Sequence, residues 1–98
     1  MKLTQEMINR GILKWDAKCK AIEKMGTGIG SKAATMALWR EAEPDDDWTK
    51  CELHLITLQA NGYIEGLRIV GGIIREPIRP RLTEKGYADR ALRLDGLK

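Results

Sequence analysis

The stretch Leu67-Arg68-Ile69-Val70-Gly71-Gly72-Ile73-Ile74-Arg75 constrains this chain more than any other. β-Branched residues flank a Gly-Gly pair, and such a pair closes a two-residue hairpin turn. Strands are expected over 63–70 and 73–78, with Pro77 near the second strand's end, where an edge strand tolerates it. The turn sets the register: Val70 faces Ile73, Ile69 faces Ile74, and Arg68 faces Arg75. Leu67, Ile69 and Ile74 then share a core face, and Arg68, Arg75, Val70 and Ile73 share the other. A lone hairpin is marginal in water, so it must lie against the rest of the chain.

The rest reads as helix. Thr4 is a good N-cap for a long first helix over about 4–25, with Leu3 and Ile8 placed as a hydrophobic staple. Ile8, Ile12, Trp15, Cys19 and Ile22 recur at spacings of 4, 3, 4 and 3, one apolar stripe. A glycine-rich stretch from Gly26 to Gly30 breaks this helix, and Ile29 is placed to add a short bridge to the hairpin. Ser31 caps a second helix, 32–42, with Ala34 and Leu38 as its expected buried positions. Pro44 and the run Asp45-Asp46-Asp47 end it and open a third, 46–61, whose core stripe is Trp48, Cys51, Leu55 and Leu58. Thr83 caps a last helix, 83–94. Leu82 and Tyr87 form its staple, and Tyr87, Ala88, Ala91 and Leu92 are its expected apolar face.

A chain of 98 residues holds one domain. Neither a dinucleotide-binding fold nor a β/α-barrel fits. The net charge of +3 is concentrated: residues 1–61 carry nine basic and nine acidic side chains, and residues 62–98 carry eight and five. That bias permits a polyanionic partner without requiring one. No apolar run approaches a membrane span. The opening Met1-Lys2-Leu3-Thr4 leads into a mixed polar stretch, unlike a signal peptide. Cys19 and Cys51 make no disulfide framework, so a reducing cytoplasmic setting is expected.

Several patterns imitate chemical sites. Gly26-Thr27-Gly28-Ile29-Gly30-Ser31-Lys32 resembles a phosphate loop, but Ser precedes Lys and the loop follows a helix. Gly28-x-Gly30-x-x-Ala33 brushes the dinucleotide fingerprint and fails on the same context. Cys51 and His54 have metal-ligand spacing, but further ligands are lacking and both cysteines sit on core stripes. With one histidine and no convergent acid–base set, no enzyme, cofactor or metal is expected. Arg10, Lys14 and Lys18 line one flank of the first helix and read as a solvated face, with Glu6–Arg10 and Asp16–Lys20 as ordinary i,i+4 pairs.

The order helix, helix, helix, hairpin, helix is that of a winged helix-turn-helix. Residues 55–64 (Leu-Ile-Thr-Leu-Gln-Ala-Asn-Gly-Tyr-Ile) resemble the end of a recognition helix entering its wing. Arg81-Leu82-Thr83-Glu84-Lys85-Gly86 resembles the link that follows such a wing. Together they are most similar to small winged-helix proteins of phages and prophages, over roughly residues 45–92. The fold this implies is α+β and mostly helical: three helices, a two-stranded β-hairpin wing at about 63–78, and a C-terminal helix in one domain, 1–98. The function it implies is double-stranded DNA binding, as a transcriptional regulator of a phage or mobile element and as a possible homodimer. Thr49, Lys50, His54 and Thr57 would face the groove, and Arg68, Arg75, Arg79 and Arg81 the phosphates. Three aspartates at the third helix's N-terminus oppose this by repelling DNA. The alternative is a protein-interaction module that does not bind DNA, such as a phage-encoded inhibitor, anti-defence protein or adaptor. It would dock through Leu53, Ile56, Val70 and Ile73.

Overall fold

The computed structural model describes residues 2–97. It is an α+β structure of four helices and two small antiparallel pairs: α1 (Gln5–Gly26), α2 (Lys32–Ala42), α3 (Trp48–Ala60), β1 (Ile64–Glu65), β2 (Arg68–Val70), β3 (Ile73–Arg75), β4 (Arg81–Leu82) and α4 (Glu84–Asp95). Each helix starts at a side-chain cap that accepts an otherwise orphaned backbone N–H. Thr4 caps α1 through Met7 N, Ser31 caps α2 through Ala34 N, Asp47 caps α3 through Lys50 N, and Thr83 caps α4 through Gly86 N. Glu76 adds a second acceptor at α2, taking the Lys32 N–H at 2.8 Å.

The hairpin register is the one that the turn dictates: Arg68↔Arg75, Ile69↔Ile74 and Val70↔Ile73. Gly71 and Gly72 have φ of +63° and +76°, the left-handed pair that a tight hairpin turn needs. The strands are shorter than the β-branched pattern implies. Gly66, at φ +95°, breaks 63–70 into β1 and β2. The return strand stops at Arg75, before the cis Glu76–Pro77 peptide. The chain then forms β4, which pairs with β1 through Ile64↔Leu82 and Glu65↔Arg81. The bridge expected at Ile29 falls one residue later, where Ile78 N donates to Gly30 O at 2.6 Å, and Ile29 stays exposed.

One core joins the elements, built on Trp15, Cys19, Ile22 and Met25 of α1, Trp39 of α2, Cys51 and Leu55 of α3, and Ile64, Ile74, Ile78 and Leu82. The buried face of α2 is turned by one residue from the expected one. Thr35 and Trp39 are buried, whereas Ala34 and Leu38 are half-buried. Thr35 is tolerated inside because its hydroxyl donates to Ser31 O.

α4 departs further. Its expected apolar face, Tyr87, Ala88, Ala91 and Leu92, is exposed. Its orientation is set instead by Gly86, where a Cβ would collide with the Tyr63 carbonyl, and by Arg90, which donates to Asp16 at 2.7 Å and Glu23 at 2.5 Å on α1. Arg93 lies over the Trp15 ring. Long cationic stems and a close backbone approach therefore do the packing that aliphatic residues were expected to do. Among the described residues, no helix is long and apolar enough to cross a membrane.

Candidate nucleic-acid interface

The residues singled out on α3 come together. Lys50, Leu53, His54 and Thr57 line one shallow groove of about 300 Å³ along the helix's outer face. Thr49 is exposed in the first turn beside it. Lys50 is exposed, and among the described residues no hydrogen bond or ion pair engages its ammonium. Thr57 donates its hydroxyl to Leu53 O at 2.8 Å, which leaves its oxygen as an acceptor. His54 is half-buried against the Trp39 ring, with ring centroids 5.1 Å apart. Burial, and then the nearby Lys18 charge, hold its pKa below the usual histidine value. It therefore brings hydrogen-bonding capacity to the groove at neutral pH rather than charge. Leu53 is 66% exposed in the middle of the groove, whereas Ile56 packs against the core.

Arg68 and Arg75 face each other on the outer side of the hairpin, both exposed. Among the described residues, no carboxylate engages either guanidinium. Val70 and Ile73 make an apolar tip beside them. The other two arginines are committed within the chain. Arg79 donates to Gly28 O and Ile29 O, at 3.1 and 3.3 Å, and fastens the α1–α2 loop. Arg81 pairs with Glu65 at 2.8 Å across the β1–β4 pair.

Two side chains that the sequence reading did not single out hold the hairpin to α3. Gln59 makes a paired bridge to one residue, accepting from Leu67 N at 2.9 Å and donating to Leu67 O at 3.1 Å. Glu52 accepts from Ile74 N at 3.1 Å. Both lie at α3 positions flanking the core stripe, so spacing placed them on the helix but gave no sign of what they grip. The aspartate run is also partly explained. Asp47 caps α3, and Asp46 accepts the Trp39 indole N–H at 2.9 Å.

Cys19 and Cys51 are both buried and unpaired, and burial pushes their thiols up, Cys19 to about 11 and Cys51 to about 12. Among the described residues, no three of His, Cys, Asp and Glu are grouped to hold a metal ion. The glycine-rich loop is an interhelical connection that Arg79 ties down. The basic flank of α1 is paired, since Lys14 and Lys18 both reach Glu43, at 3.4 and 3.1 Å. Compared with known proteins, the sequence matches no family model and no curated protein, and the fold matches no solved structure.

Proposed function

We propose that this chain is a winged-helix protein that binds double-stranded DNA, with α3 in the major groove and the hairpin as a wing on the phosphate backbone. One observation carries the reading. Among the described residues, Lys50, Arg68 and Arg75 have no ionic partner, and they sit on two elements that Glu52 and Gln59 fasten together. Like charges directly opposite on a hairpin are destabilising, and an anion between them relieves that cost. Lys50, His54 and Thr57 then reach base edges, and Arg68 and Arg75 contact phosphates. Arg79 and Arg81 stay with the fold. Regulation of a phage or mobile-element promoter is the role that fits a small DNA-binding chain of this resemblance.

Binding to a labelled duplex across a salt series tests this. Each phosphate contact adds about one unit to the slope of log affinity against log salt, so Arg68→Ala/Arg75→Ala should lower the slope by about two. The loss should be equal on every sequence, because phosphates carry no base identity. A second reading is favoured by a specific feature: Leu53, Val70 and Ile73 are exposed on the same two elements. They fit a protein partner, and that interface would be insensitive to salt. Absence of salt-dependent DNA binding by the unmodified chain would favour it.

A further inference from the structure

A single exposed leucine is ordinary on a protein surface, but the setting of Leu53 is not. The exposed residues of α3 are Thr49, Lys50, Leu53, Thr57 and Ala60. From Lys50 onward they are spaced 3, 4 and 3, so they form one outward stripe turned away from the buried Cys51, Leu55 and Leu58. Leu53, 66% exposed, is the one large apolar side chain on that stripe, and it lies between Lys50 and Thr57 in the shallow groove. The helix's one carboxylate, Glu52, is turned to the hairpin, where it accepts from Ile74 N. The stripe itself carries no negative charge.

In the major groove of a duplex every base edge offers hydrogen-bond donors or acceptors, and the thymine 5-methyl is the one distinctly apolar group. Lys50 has donors alone. Thr57 presents its oxygen as an acceptor, because its hydroxyl proton goes to Leu53 O. Leucine has neither. Against a polar base edge it would strip water and return no hydrogen bond. The helical rise puts Leu53 about 4.5 Å along the axis from Lys50 and about 6 Å from Thr57. Bases along one strand are about 3.4 Å apart. The three side chains therefore reach separate base pairs, and Leu53 reaches the middle one.

We propose that Leu53 reads the 5-methyl group of a thymine, so that the chain requires a thymine-bearing base pair at the centre of the segment that α3 covers. This rests on the DNA-binding reading and adds to it a base requirement that neither Lys50 nor the hairpin arginines supply. Arg68 and Arg75 give affinity on any sequence, because phosphates carry no base identity. Leu53 gives preference alone. Taking one methyl group out of water against its side chain corresponds to a change of about fourfold in affinity.

Selection from a pool of random-sequence duplexes, followed by uracil substitution at each thymine of an enriched sequence, tests this. Uracil lacks only the 5-methyl group, so base pairing and phosphates are unchanged. Uracil at one thymine should weaken binding of the unmodified chain about fourfold. Leu53→Ala should bind the thymine and uracil duplexes equally at that position, with the salt slope of the unmodified chain. Circular dichroism of Leu53→Ala should show an intact fold, because the residue lies outside the core and alanine is a good helix former. The uracil comparison is made on the unmodified chain, so it stands whatever the substitution does to the fold. Salt-dependent binding with no enriched sequence would overturn the proposal and leave the DNA-binding reading in place. So would the absence of a uracil effect at every thymine, or a uracil effect undiminished in Leu53→Ala. No binding to any duplex would overturn both and leave Leu53 to a protein partner.

Discussion

At the scale of single residues, burial decides what a side chain can do. Leu55 is fully buried on α3 within the shared core. Leu55→Ala should cost about 2–5 kcal/mol of stability, read from urea unfolding. Cys19 and Cys51 should resist a thiol reagent in the folded chain and react once it is unfolded, since both thiols are buried and held in the protonated form. His54 gives a pH signature. Its folded pKa lies below the unfolded value of about 6.5, so between the two the unfolded chain binds more protons. Stability should therefore fall as pH drops below about 6.5 and level off once the folded pKa is passed. Urea midpoints across that range should show the fall in the unmodified chain and lose it in His54→Asn. Which of these residues lie inside was legible from periodicity. His54's contact with Trp39 was not, because it joins two helices at an angle that spacing along one helix does not reveal.

At the scale of elements, the hairpin and α3 form the unit that matters. Its turn and register were legible because Gly-Gly fixes both, and a one-residue slip would turn Ile74 outward. The break at Gly66 was hidden, because a glycine inside a β-branched run reads equally as strand or kink. The starts of α1, α2 and α4 were legible from Thr4, Ser31 and Thr83, each a good cap, whereas the run Asp45-Asp46-Asp47 marked the start of α3 at about 46 without showing that Asp47 caps it at Trp48. The orientation of α4 was not. Apolar counting favoured Tyr87, Ala88, Ala91 and Leu92, whereas the packing follows Gly86 and the ion pairs of Arg90. The Gln59 clamp should matter to the hairpin's attachment. Gln59→Ala leaves the Leu67 N–H and C=O without their partner, which costs about 1–3 kcal/mol for a group that stays buried. Amide hydrogen exchange at Leu67 should accelerate in that variant, and exchange in α1 should not change beyond the global loss of stability.

At the scale of the whole molecule, charge placement separates fold from function. Most of the basic side chains whose contacts are described above are spent internally. Arg90 joins α4 to α1, Lys14 and Lys18 join α1 to α2, and Arg79 secures the loop between them. At Asp16, burial raises the carboxyl pKa, but hydrogen bonds from Arg90 and Lys20 outweigh it and hold the pKa below the ordinary value. The α1–α4 attachment should therefore weaken only in acid, as pH falls below about 4 and through the lowered folded pKa. Among the described residues, Lys50 on α3 and Arg68 and Arg75 on the hairpin have no ionic partner, and Glu52 and Gln59 fasten the two elements that present them. The sequence named four arginines for this role, because adjacency along the chain does not reveal which already have partners.

Chemical-shift mapping of the amide resonances during titration with a short duplex tests that central claim most directly. The largest shifts should cluster at residues 49–57 and 68–75, and α4 should stay unchanged. Shifts confined to other elements, or none at all with saturating duplex at low salt, would contradict it.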